Sequence, residues 1–146
     1  MPCAVLVCST QPVSQAYKEM STLLTNQTCI PCSGNVPPAS DAEVTELKPQ
    51  IPDWDIIDVD GVSQLQRVYH FSDFKAALAF TNHVGALAEA GQHHPALLTE
   101  WGKVTVTWWT HALHGIHRND FIMAAKTDDI AQGLTSDRPA PSHHDD

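Results

Sequence analysis

The chain has 146 residues, with eight Lys and Arg against seventeen Asp and Glu for a net charge of −9. That length holds one domain of ordinary size plus modest tails, and so acidic a balance with no basic patch excludes nucleic-acid binding as the main task. Hydrophobic residues make up 42% and charged residues 17%, the composition of a globular protein with one core rather than of a disordered or fibrous chain.

The aliphatic run Ala4 to Val7 is too short to span a bilayer and no basic residue precedes it, so no membrane association and a cytoplasmic location are expected. Four cysteines lie at positions 3, 8, 29 and 32. The CxxC spacing of Cys29 and Cys32 suits a zinc knuckle or a redox couple, but the surrounding sequence lacks the paired turns that hold one, and reduced, unliganded thiols are expected. Residues 1–38 show no sustained periodicity and end in the breaker cluster Gly34-Asn-Val-Pro37-Pro38, so they are read as a flexible extension whose first nineteen residues are dispensable. The domain is expected over residues 39–133, followed by a mobile tail, 134–146.

Ser40 and Glu43 form a capping-box pattern that opens a short first helix, stopped by Pro49 and Pro52. Trp54 to Val59 reads as a strand, Asp60-Gly61 as a tight turn, and Leu65, Tyr69 and Phe71 as even-spaced positions of a second strand. Ser72 opens the longest helix, with Phe74, Ala77, Leu78, Thr81, Val84 and Ala88 as its expected buried stripe and Gly91 as its left-handed cap. A segment Ala96 to Glu100 and the turn Trp101-Gly102 lead into Val104, Val106 and Trp108, which alternate with Thr105, Thr107 and Trp109 as a strand. The last helix is expected from His117 or Arg118 to Gly133. Strands joined by tight turns must be antiparallel, so the expected class is α+β: a four-stranded antiparallel sheet with three helices on one face, in the order α-β-β-α-β-β-α. The other face, carrying Thr105, Thr107 and Trp109, suits pairing with another subunit.

All nine histidines lie after residue 69, which places the chemistry in the second half. Glu89-Ala-Gly-Gln-His93-His94-Pro95 puts two imidazoles on a short turn stiffened by proline, and His111 follows the last strand. Histidine titrates near neutrality, so such a group can supply one proton donor and one acceptor. A structural reading of each histidine competes with this, as does a metal site built from three His and Glu89, although no HxH or HxxxH spacing accompanies them. His114, His117, His143 and His144 rank below. Phosphate-loop, GxGxxG and GxSxG motifs are absent from the sequence.

Glu89 separated by three residues from His93-His94-Pro95, then Trp101, Val104, Thr110-His111, Gly115 and Asp120, resembles the pterin-4a-carbinolamine dehydratase family. The likeness runs over roughly residues 38–130 and includes Pro52-Asp53-Trp54 and the Phe71-Ser-Asp-Phe74 start of the long helix. It implies a hydro-lyase that dehydrates 4a-hydroxytetrahydrobiopterin to the quinonoid dihydropterin and water, serving an aromatic amino acid hydroxylase, with no cofactor and no metal. It also implies a homodimer or homotetramer. His93, His94 and His111 correspond to the family's active-site histidines and Glu89 to its supporting acid. Pro95, Thr110, His111, Ala112, Leu113 and Asp120, with His93 and His94, correspond to substrate-contacting positions. Two positions depart from the family pattern: His117 stands where many members cap the last helix with Ser or Thr, and Trp101 replaces a frequent Tyr. The resemblance leaves two other readings: a protein-binding dimerisation cofactor on the same fold, or a histidine-liganded metalloprotein.

Overall fold

The computed structural model describes residues 23–30 and 37–136. Cys3, Cys8, Cys32, His143 and His144 lie outside the described residues, as do most of the expected N-terminal extension and most of the expected C-terminal tail.

Ser40 accepts a hydrogen bond from the Glu43 amide at 3.2 Å and so caps the short helix α1, Asp41–Leu47. Glu43 does not complete a capping box; its carboxylate pairs with Arg118 at 3.0 Å. Pro49 sits in the 3-10 turn Lys48–Gln50 that ends this element. Strands β1, Asp55–Val59, and β2, Val62–His70, pair antiparallel around Asp60 and Gly61, whose φ values of 53° and 81° are those of a tight hairpin turn that glycine makes accessible.

Helix α2, Phe74–Gly91, begins one turn position later than the sequence suggests, because Asp73 is its cap and accepts from the Ala76 amide at 2.7 Å. Ala77, Phe80, Val84 and Ala88 form its buried stripe, whereas Phe74 and Leu78 are 45% and 42% exposed. The expected stripe therefore includes two residues, Phe74 and Leu78, that face outward, and omits Phe80. The left-handed residue that ends α2 is Gln92, with φ 49° and ψ 38°, not Gly91, which is still helical. Strands β3, Ala96–Glu100, and β4, Lys103–Trp108, pair through a turn at Gly102, φ 71°, before helix α3, Arg118–Ser136. Leu134, expected in a mobile tail, packs partly buried against the core.

The sheet order is β1-β2-β4-β3, antiparallel throughout. Pairing places Leu65 opposite Trp108 and Tyr69 opposite Val104, and these fully or nearly fully buried residues face the helices. Thr105 pairs with Val68 and Leu98 on the opposite face, where Val68 and Leu98 remain exposed. The core is closed by Trp54, Trp108, Phe80 and Phe121. Asp128 of α3 ties it to the sheet by accepting from Trp54 Nε1 at 2.9 Å, from Arg67 at 2.7 Å and from the Tyr69 hydroxyl. Burial and that neighbouring carboxylate push the Tyr69 phenol well above its ordinary range, so it remains a donor.

The segment Leu23–Ile30 departs from the reading that began the ordered domain near residue 39. Leu24 is fully buried in the core, and its amide donates to Gln50 Oε1 at 2.9 Å. Among the described residues no helix is long and apolar enough to cross a membrane.

Candidate active site

The end of α2 fixes the histidine doublet. Gln92 in the left-handed region lets its own amide reach Glu89 O at 3.3 Å and the His93 amide reach Ala88 O at 3.1 Å, the paired bonds that close a helix C-terminus. His93 and His94 therefore leave the helix in fixed directions.

His93 points inward. Its ring stacks on Trp108 at 5.5 Å between centroids and 15° between planes, and Trp108 is itself pinned by donating Nε1–H to Thr127 at 3.2 Å. His93 Nε2 lies 2.5 Å from Asp120 Oδ1, with only 11% of the imidazole and none of the carboxylate exposed. A carboxylate accepts only, so Nε2 carries the proton and Nδ1 is left as the nitrogen available to a ligand. Asp120 Oδ2 accepts from the Thr110 hydroxyl and from the His117 amide, both at 2.8 Å. Buried and shared among three donors, Asp120 stands behind His93 rather than in the position of a substrate contact, and Thr110, 2% exposed, supports it in turn.

His94 points outward. Its Nε2 lies 2.6 Å from Glu89 Oε1, with 60% of the ring exposed. Glu89 is therefore the hydrogen-bond partner of His94 rather than of His93. His111 opens the 3-10 turn His111–Leu113, directly after Thr110, and its ring leans on Trp109 at 4.5 Å. Ala112 and Leu113 occupy the same turn, which the antiparallel bridge Thr110–Gly115 closes. The structure thus joins His93, Asp120, Thr110 and His117 in one network and Glu89 with His94 in a second. His111 is joined to the first through the chain alone: among the described residues no hydrogen bond or ring contact links its imidazole to His93 or His94. Pro95 follows the doublet and leads directly into β3.

His117 takes the helix-cap role that Ser or Thr fills elsewhere, since its Nδ1 accepts from the Asn119 amide at 3.1 Å. Burial lowers its pKa below the ordinary 6.5, against the opposing pull of Asp120, so the neutral ring that capping requires is the one the fold favours. The unfolded chain takes up this proton at a higher pH than the folded one. Stability from this residue is therefore complete above about pH 6.5 and falls as pH drops toward the lower folded value. His117→Ser keeps a capping oxygen and removes the titration, so the loss of urea-unfolding stability between pH 7 and pH 5 is expected to be smaller in that variant than in the parent chain.

A cavity of about 470 Å³ opens beside His93, lined also by Thr28, Cys29, Ile30, Gln92 and Asn119, a size in the range of small-molecule sites. A second, of about 630 Å³, lies beside Arg67, Tyr69 and Asp128 and contains none of the candidate catalytic or substrate-binding residues. Sequence reasoning missed Trp108 as the platform of His93, Asn119, and the buried anchoring of the segment Leu23–Ile30. Cys29 is a partly buried thiol whose Sγ lies 3.9 Å from the Asn119 carbonyl oxygen. Among the described residues no group of three or more His, Cys, Asp or Glu side chains is placed to share a metal ion.

The family model described as pterin 4 alpha carbinolamine dehydratase matches residues 37–130. Among solved structures, a transcriptional coactivator/pterin dehydratase from Brucella melitensis is 31% identical, with a TM-score of 0.58 over 64% of this chain and 98% of that one. A pterin dehydratase-like protein described as a RuBisCO assembly factor in the alpha-carboxysome is 21% identical, with a TM-score of 0.47 over 54% of this chain and 89% of that one.

Proposed function

The chain belongs to the pterin 4 alpha carbinolamine dehydratase family, and from that premise we propose that it dehydrates a 4a-hydroxytetrahydropterin to the quinonoid dihydropterin and water. The observation that carries the reading is the buried relay from Thr110 and His117 through Asp120 to His93, beside a cavity of ligand size and one residue from a second, carboxylate-held imidazole.

The substrate is a hemiaminal. A proton delivered to its 4a oxygen lets the C4a–O bond break as the N5 lone pair forms the C4a–N5 double bond, and a ring N–H proton is then surrendered to a base; the net loss is one water. His94 suits the donor role, since Glu89 at 2.6 Å offsets the charge of a protonated imidazole. His111 is the acceptor, and His93 offers Nδ1 to the edge of the bicyclic ring. Pro95 and the Thr110 to Leu113 turn, with Ala112 at its exposed tip, border the substrate, and Asp120 acts through His93. The protein works in the cytoplasm as a homodimer or homotetramer, regenerating the pterin that an aromatic amino acid hydroxylase consumes.

The test is a coupled hydroxylase assay in which the 4a-hydroxytetrahydropterin intermediate is followed by its absorbance. Catalytic amounts of the protein are expected to hasten its loss; an unchanged decay rate sinks the reading. One observation favours a second reading, capture of a protein partner: Phe74 and Leu78 stand half exposed together on the outer side of α2, and the Brucella relative is described as a coactivator as well as a dehydratase. A protein inert in the coupled assay that forms a stable complex through α2, lost in Leu78→Glu, would support it.

A further inference from the structure

We propose that Thr127 is a positioning residue for His93: through the Trp108 indole that it holds, it fixes the tilt of an imidazole that Asp120 holds by one edge alone. This rests on the dehydratase reading and deepens it, since neither Trp108 nor Thr127 is among the residues that the resemblance singles out.

The chain of contacts begins with a polar group in the core. Trp108 sits opposite Leu65 on the inner face of the sheet and is fully buried, and a buried indole keeps its place at low cost only where its N–H finds an acceptor. Thr127, also fully buried, supplies that acceptor at 3.2 Å. An indole N–H can only donate, so the Thr127 hydroxyl accepts there and gives its own hydrogen to the Met123 carbonyl, 2.6 Å away on the preceding turn of α3. Both sides of the hydroxyl are thus committed. The indole is fixed at two points, its backbone in β4 and its Nε1 at Thr127, and its plane has no rotation left.

His93 receives the result. Its amide donates to Ala88 O at 3.1 Å, which sets where the side chain starts, and its Nε2 meets Asp120 at 2.5 Å. One hydrogen bond at one ring nitrogen sets that nitrogen's position and leaves the ring free to swing about it, so Asp120 alone does not aim Nδ1. The indole face removes the swing: the two rings lie 15° from parallel with 5.5 Å between centroids, within the separation of stacked rings. Asp120 and Thr127 lie two turns apart on α3, about 10 Å along its axis, and both are fully buried. One helix therefore holds the imidazole twice, by its edge from the first turn and by its face, through Trp108, from the third. A free nitrogen that is to meet one edge of a bicyclic substrate needs both holds, because a misplacement of about 1 Å is worth up to about 100-fold in rate.

The test joins turnover of 4a-hydroxytetrahydropterin with proton NMR of the His93 ring, both in the full chain. Carbon-bound protons stacked over an indole face resonate upfield, so the parent chain is expected to show that displacement for His93; its absence overturns the proposal before any variant is made. Thr127→Val removes the acceptor and keeps the shape, and it is expected to shrink the displacement and to lower kcat/KM by about 10-fold. Thr127→Ser keeps the hydroxyl and is expected to restore both. In a Trp108→Phe background, Thr127→Val is expected to change kcat/KM by less than about twofold, since a residue that acts through the indole has nothing left to act on. A folded Thr127→Val with the parent displacement and the parent kcat/KM overturns the proposal and leaves the dehydratase reading intact, as does an undiminished loss in the double variant. Where Thr127→Val fails to fold, Trp108→Phe, which removes the donor, decides in its place: an unchanged kcat/KM there is equally fatal. A parent chain inert toward the substrate removes the dehydratase reading instead, and the ring-proton displacement then decides the two-sided hold by itself.

Discussion

Asp120→Ala is expected to cost about 3–5 kcal/mol of folding stability, the usual consequence of deleting one member of a buried, hydrogen-bonded ionisable pair. Three donors lose their acceptor at once: the His93 imidazole, the Thr110 hydroxyl and the His117 amide. With the carboxylate wholly buried, no water is at hand to replace it. Asp120→Asn separates structure from catalysis. The asparagine oxygen satisfies Thr110 and His117 best by staying where Oδ2 is, and this turns the amide nitrogen toward His93. A donor now faces Nε2, so the imidazole must accept there and carry its proton on Nδ1, which reverses the face offered to the ligand. Turnover is expected to fall by roughly 100-fold or more while the fold survives, in keeping with the effect of a wrong imidazole tautomer elsewhere. Urea unfolding, steady-state dehydration and ring-nitrogen chemical shifts of His93 read the three effects separately. Turnover within twofold of the parent chain would show that His93 does not need Asp120, and the site would have to be rebuilt around His94 and His111.

Much of the architecture was legible because several signals agreed locally. Ser40 caps α1, Asp60-Gly61 turns the first hairpin, and Val104, Val106 and Trp108 alternate inward as their spacing demands. The phase of α2 was less readable. Phe74 and Leu78 are as apolar as Phe80, and a pattern of three- and four-residue steps can be drawn through either set; tertiary packing, not hydropathy, selects Phe80. Gly91 looked like the left-handed cap because glycine adopts that conformation without steric penalty, yet Gln92 occupies it, and the resulting one-residue difference sets where His93 and His94 point. The segment Leu23–Ile30 was invisible for a plainer reason. A single buried leucine in a polar stretch has no periodicity, and Asn119 grips the Ile30 backbone rather than any recognisable side chain. The spacing of Glu89, the His93-His94 doublet, His111 and Asp120 marked the candidate site, but spacing carries no information on which carboxylate serves which imidazole. Glu89 proved to hold His94, and Asp120 to hold His93.

His94→Ala is expected to lower turnover by about 10²- to 10⁴-fold, the contribution of one positioned proton-transfer group. Its ring is 60% exposed and its only bond among the described residues is to a still more exposed Glu89, so folding stability is expected to stay within about 0.5 kcal/mol of the parent chain. Loss of activity without loss of fold is what distinguishes this position from Asp120. His111→Ala is expected to have a similar effect on rate, and the two are told apart by pH. An acid must be protonated to act, so removing it abolishes the decline of rate at high pH; a base must be unprotonated, so removing it abolishes the decline at low pH. With His94 as donor, His94→Ala keeps only the low-pH limb and His111→Ala only the high-pH limb, and exchange of the two profiles reverses the assignment. The double variant tests whether the pair acts as a unit. If both protons move in one coupled sequence, losing the second imidazole adds little to losing the first. Full multiplication of the two losses would mean that His94 and His111 serve separate steps, and full activity in His94→Ala would remove the outward-facing imidazole from the mechanism.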